Sequence, residues 1–114
     1  MTEARLFHIV DHDTWTVVEA TGEYRPSSLV TEGFVHCSFA SQVAGTAALR
    51  FAGVPNLDVI EFARERVPPV RVEDSYGSGM SFPHIYGPVP TTAVLGRWPL
   101  SEFIARSVGA SPDR

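Results

Sequence analysis

The chain contains no lysine: its nine cationic side chains are all arginines. This excludes a lysine Schiff base and a phosphate loop built on lysine. A single cysteine, Cys37, excludes an internal disulfide and leads us to expect a reducing, cytoplasmic setting. There is no run of basic residues, and the net charge is −4 over 114 residues. An electrostatic grip on a nucleic-acid backbone is therefore not expected. No apolar stretch approaches the roughly 20 residues of a membrane helix. The segment Met1-Thr2-Glu3-Ala4-Arg5 is not followed by the apolar core of a secretory signal, so no membrane partner is expected either. Protein partners are left unnamed by this surface.

What is present suits one compact unit. Hydrophobic residues make up 44% of the chain and charged residues 19%, enough apolar surface for a core and too little charge for a disordered chain. We expect a single domain over residues 1–108 and a frayed tail over 109–114. The pattern alternates short strands with a few helices. Arg5-Leu6-Phe7-His8-Ile9-Val10 reads as a strand. Asp11 or Asp13 caps a helix carrying Trp15 and Val18, which Gly22 stops. Ser27-Ser28-Leu29-Val30 is a helical turn. Val43, Ala47 and Phe51 recur at helical spacing behind Ser38 or Ser41 as the cap, and Gly53 and Pro55 end that helix. Leu57–Phe62, Val70–Glu73 and Thr92–Trp98 suit strands, Ser75–Gly79 a loop, and Phe103–Ala105 a terminal helical turn. Pro83, Pro88 and Pro90 argue against a central strand around His84. The class is α+β, with short antiparallel strands around one or two helices.

Two motifs carry the chemistry. Glu32-Gly33-Phe34-Val35-His36-Cys37-Ser38-Phe39 reads as a strand, so Phe34, His36 and Ser38 share one face and Val35, Cys37 and Phe39 the other. An imidazole and a hydroxyl two residues apart build a pocket wall, and a neutral imidazole suits a ribose hydroxyl. The alternatives are a histidine satisfied by a carbonyl or carboxylate, and a Ser38 that caps a helix. Phe82-Pro83-His84-Ile85-Tyr86-Gly87-Pro88 supplies a second wall, or else a rigid structural turn. Glu32 and Glu73 are candidate acids or ion-pair partners. Tyr24-Arg25 can receive an anion through the guanidinium fork, with a solvated loop arginine as the plain alternative.

Metal chemistry is not expected. His8 and His12 have the helical zinc interval, yet they fall on a strand and its following loop, roughly 13 Å apart. His36 and Cys37 point opposite ways. Cys37 shares its face with Val35 and Phe39 and reads as a buried core thiol, not a nucleophile. His8 reads as a sheet histidine with its hydrogen bonds met.

Tyr24-Arg25-Pro26, Ser28-Leu29, the Glu32–Ser38 motif, Gln42-Val43, Glu73 and the Phe82–Pro88 motif together resemble the small bacterial Domain of Unknown Function 952 family, over nearly the whole chain from Arg5 to Trp98. The resemblance implies an ADP-ribosyltransferase-like fold: a split antiparallel sheet with one or two helices and a cleft that holds NAD in the enzymes. His36-Cys37-Ser38 is similar to their His-x-Ser strand motif, and Tyr86 or His84 to the later aromatic residue beside the nicotinamide. The glutamate those enzymes carry near the last strand has no counterpart between Ala93 and Trp98. On this resemblance, NAD is a substrate and no further cofactor is required. The expected ligand-binding set is His36, Ser38, Tyr86, Tyr24 and Arg25; Glu73 and His84 are the catalytic candidates for ADP-ribosyl or nucleotide-phosphate transfer. A non-catalytic small-molecule binder and a structural or interaction domain are the alternatives.

Overall fold

The computed structural model describes residues 4–109. The tail expected over 109–114 lies outside these residues, except Gly109, which closes the last helix. The chain runs β1 (Arg5–Asp11), α1 (His12–Thr21), β2 (Glu23–Tyr24), α2 (Ser28–Thr31), β3 (Val35–His36), α3 (Val43–Arg50), β4 (Leu57–Ala63), β5 (Val70–Glu73), β6 (Phe82–Ile85), β7 (Val89–Pro90), β8 (Val94–Pro99) and α4 (Leu100–Gly109). All strand pairings are antiparallel. They form three sheets, ordered β1-β4-β8, β2-β7 and β3-β6-β5. The α+β class holds, with more helix than the one or two helices expected.

The first sheet has apolar clusters on both faces, which is why β4 is buried along its whole length. Leu6 and Val10 of β1 face Trp15, Ile60, Phe62 and Ile85. Phe7 and Ile9, one register position away, face Val43 and Ala47 of α3 and Phe103 and Ile104 of α4. Burying β4 also buries two acids. Asp58 accepts from His12 Nδ1 (2.7 Å) and Arg97 Nε (2.8 Å), and Glu61 accepts from Arg5, so neither charge is left unpaired.

Local signals act where the sequence places them. Asp11 caps α1 by accepting from the Thr14 amide at 3.0 Å, and Gly22 ends it in the left-handed region at φ 86°. Gly96 is required for a different reason. A Cβ there would lie 2.3 Å from the Trp98 ring, which folds back over it.

Three expectations need correction. The strand expected over 32–39 is regular only at Val35–His36; beyond it Ser38 exchanges both backbone hydrogen bonds with Phe7 of β1. The cap ahead of α3 is neither Ser38 nor Ser41. A 3-10 turn over Ala40–Gln42 leads in, and the Gln42 side chain accepts from the Phe39 amide at 3.0 Å. The third concerns β6, which is the central strand of its sheet despite Pro83. The Pro83 carbonyl accepts from the Cys37 amide at 3.1 Å, just past the last β3 pair, His36 with His84. The missing proline N–H therefore faces the place where the β3 ladder stops and leaves no regular partner unpaired.

Candidate functional site

The sheet β3-β6-β5 sorts its side chains by alternation. Val35, Ile85 and Val70 stand opposite one another on one face, the first two fully buried in the core. His36, His84 and Arg71 stand opposite one another on the other face, with Phe82 and Glu73 paired beside them. His36, His84 and Phe82 of that second face form one wall of a cleft of about 820 Å³, within the range of small-molecule sites; Arg71 and Glu73 lie outside it. β1 contributes Phe7 and Ile9, α3 contributes Thr46, Leu49 and Arg50, and the loop after β5 contributes Tyr76, Ser78 and Met80.

His36 sits at the polar end of this cleft. Its Nε2 lies 2.9 Å from Glu32 Oε2 and its Nδ1 3.0 Å from the Tyr76 hydroxyl. The Glu32 carboxylate accepts from Nε2, and the Tyr76 hydroxyl lies against the other side of the ring. The hydrogen bond from His36 holds the Glu32 carboxyl below the usual range, whereas burial pushes the Tyr76 phenol up. Glu32 is thus an ionised carboxylate and Tyr76 a proton donor.

His84 faces His36 edge-on, with ring centroids 5.4 Å apart, and lies flat on Phe34 at 4.0 Å. Its Nδ1 is 3.0 Å from Glu73 Oε2. Burial lowers its pKa, partly opposed by that carboxylate, so the ring is neutral near pH 7 and donates from Nδ1. Nε2 then carries the lone pair and has no hydrogen-bond partner among the described residues. Glu73 Oε2 also accepts from the Tyr86 hydroxyl, which is the leading cause of its lowered pKa.

The residues expected at a site separate into three groups. His36, Ser38 and His84 line the cleft. Ser38 is buried, with its Oγ 3.1 Å from Thr46 Oγ1, so its hydroxyl ties β3 to α3. Glu73 and Tyr86 do not line the cleft; they stand behind His84 and act on it through Nδ1. Tyr24 and Arg25 do not reach the cleft. Tyr24 is buried edge-on against Trp15 and donates to His8 Nε2 at 2.7 Å. Arg25 is exposed and pairs with Glu23 at 2.7 Å. Strand β2 turns Tyr24 into the core and leaves Arg25 on the outer surface. Cys37 is buried, and burial pushes its thiol up.

One cleft residue escaped the sequence reading. Tyr76 lies in a loop otherwise made of glycine and serine, where a lone aromatic residue was the available signal. Arg50, the last residue of α3, has no acidic residue three or four positions before it, which marks a cation with no partner on its own helix.

A sequence profile described as a protein of unknown function, DUF952, matches residues 9–97. The chain belongs to the DUF952 family. No curated protein matches it. Among solved structures, DUF952 residues here are similar to the X-ray structure of protein CC0527 from Caulobacter crescentus, at 28% identity over 83% of this chain and 84% of that one, with a TM-score of 0.73. The solution NMR structure of the same protein gives 27% identity, 83% of each chain and a TM-score of 0.71. The DUF952 chain thus shares its antiparallel α+β architecture with a solved protein. Among its described residues no group of histidine, cysteine and acidic side chains is arranged to hold a metal ion. No helix among them is long and apolar enough to cross a membrane.

Proposed function

We propose that the cleft binds a nucleotide-like small molecule, NAD or a related nucleotide, and that His84 serves as the base in a group-transfer or hydrolytic reaction on it. The observation that carries this reading is the unpartnered Nε2 of His84 on the cleft wall, beside the ionised Glu32 carboxylate held by His36. A histidine kept neutral by burial and oriented through Nδ1 by a carboxylate is the arrangement a general base requires. The apolar side chains Phe7, Ile9 and Phe82 offer a surface for a ring. The ADP-ribosyltransferase-like resemblance supplies NAD as the first ligand to try, by analogy of fold.

In the NAD reading the glycosidic C–N bond breaks and its electron pair leaves with nicotinamide. Glu32 stabilises the positive charge that develops on the ribose, and an acceptor hydroxyl or water adds there, giving its proton to His84 Nε2. Glu73 is then a positioning residue, because it touches His84 and not the ligand. The ring-contacting role assigned to Tyr86 passes to Tyr76, and the role of Arg25 passes to Arg50.

The absence of a glutamate in β8 supports a second reading, in which the cleft binds its ligand without chemistry. One experiment separates the two. NAD and ADP-ribose are titrated against thermal unfolding, and nicotinamide release is followed in wild type and His84→Gln. A ligand at a hundred times its Kd adds about 2.7 kcal/mol of stability. We expect stabilisation in both proteins and release in the wild type alone. Stabilisation without release in the wild type selects the binder. No stabilisation by any nucleotide overturns the proposal.

A further inference from the structure

Arg50 ends α3 at the rim of the cleft, exposed and with its guanidinium carbon 4.5 Å over the Tyr76 ring. Other arginines are spent on carboxylates: Arg5 on Glu61, Arg25 on Glu23, Arg97 on Glu19 and Asp58. Arg50 has no ion pair or hydrogen bond among the described residues. Stacking on a ring holds a guanidinium flat and leaves its N–H donors in plane, the fork that matches a carboxylate or a phosphoryl group. The platform beneath it is fixed as well. The Tyr76 hydroxyl is bonded to His36 Nδ1, and the loop that carries Tyr76 is tied down by Asp74, which accepts from the amides of Ser78 (2.9 Å) and Gly79 (2.8 Å).

The rest of the wall defines what this cation can take. His8 and His84 are kept neutral by burial, so Arg50 is the one fixed positive charge on the cleft wall among the described residues. Glu32 meets His36 Nε2 at 2.9 Å and accepts from the Tyr76 hydroxyl at 3.5 Å, and it forms no ion pair with Arg50. Leu49, 78% exposed, and Met80, 52% exposed, line the same cleft as Arg50 and leave apolar surface open to solvent.

We infer that Arg50 is the anion-binding residue of the cleft and that the ligand is an amphipathic molecule with one terminal anionic group, a phosphate monoester or a carboxylate. Its ring or chain lies over Leu49 and Met80. A phosphate monoester offers the guanidinium three unesterified oxygens and up to two negative charges, whereas each phosphoryl group inside a dinucleotide offers two oxygens and one charge and is held less tightly. The inference rests on the reading that the cleft is a ligand site, and it is independent of whether that ligand is a nucleotide.

Two matched pairs test it: AMP against adenosine, and benzoate against benzyl alcohol. Each is titrated by NMR into wild-type protein and Arg50→Gln, with NAD as a fifth ligand and the amide spectrum reporting that the variant is folded. We expect the anionic member of at least one pair to bind about tenfold or more tightly than its neutral partner in the wild type. In Arg50→Gln that preference falls to about twofold or less, with the neutral member's affinity unchanged. A preference confined to AMP assigns a phosphate ligand. A preference confined to benzoate, with no nucleotide binding, supports the inference and overturns the nucleotide proposal. Nucleotide binding whose anion preference survives Arg50→Gln, or NAD binding more tightly than AMP, overturns the inference and leaves the nucleotide proposal standing. No binding by any of the five overturns both.

Discussion

His84 is held by neighbours that act on its charge in opposite directions. Burial and the nearby His36 favour the neutral ring, whereas the Glu73 carboxylate favours the protonated one. Replacing Glu73 by glutamine keeps a side-chain oxygen to accept from Nδ1 and removes the negative charge. We expect His84 to titrate below the ordinary histidine range in the wild type, and lower still in Glu73→Gln. A pH series of two-dimensional NMR spectra of the imidazole nitrogens reads both. A His84 that titrates higher in the variant would show that Glu73 does not set its charge. At this scale the sequence revealed more of the imidazoles than of the phenols. The period of two placed His36 and Ser38 on one wall, and the histidine of the second motif joined them. The motif residues Tyr24 and Tyr86 lie outside the cleft because tertiary contacts claim them, Trp15 and His8 for Tyr24 and Glu73 and Arg71 for Tyr86, and such contacts are not visible in a local pattern. Tyr76 entered the cleft through a loop, whose path depends on hydrogen bonds to Asp74 and not on periodicity.

The segment between β5 and β6 is an element in its own right, though it has no regular structure. Asp74 accepts three hydrogen bonds from Ser78 and Gly79, and Gly77 and Gly79 adopt the left-handed region that the turn requires. This turn carries Tyr76, Ser78 and Met80 to the cleft. In Asp74→Ala we expect the amides of Ser78 and Gly79 to exchange with solvent about tenfold faster, with core amides such as those of β4 unchanged. Hydrogen exchange resolved by residue measures this. Unchanged rates at Ser78 and Gly79 would remove Asp74 as the organiser of the loop. Elements with strong end signals were legible in the sequence, as α1 shows with Asp11 and Gly22. The second motif misled because proline was weighed against the whole strand, when only the direction of one N–H matters. Pro83 fits a central strand because β3 is short.

Three sheets meet at one side chain, and this gives the molecule a pH dependence of its own. His8 belongs to β1. Its Nδ1 lies 2.5 Å from the carbonyl oxygen of His36 in β3, and its Nε2 accepts from the hydroxyl of Tyr24 in β2. This tautomer is fixed, because the carbonyl requires a donor and the phenol supplies one. Burial drives the His8 pKa down to about 4, against the pull of the carbonyl. The unfolded chain takes up this proton near pH 6.5, so below that pH it binds more protons than the folded chain and stability falls as the solution is acidified. Between pH 7 and pH 5 the contribution of His8 is about 2 kcal/mol. His84, also lowered, adds a loss of the same sign. The lowered acids Glu32, Glu73 and Asp74 act chiefly below about pH 4.5, near the unfolded carboxyl values. Urea unfolding at pH 7 and pH 5 measures the slope. His8→Gln, which retains a donor and an acceptor but does not titrate, is expected to be less stable than the wild type at pH 7 and to lose about 2 kcal/mol less on going to pH 5. A variant that keeps the full wild-type loss would place the pH dependence elsewhere, and the junction of the three sheets would then be held by packing alone.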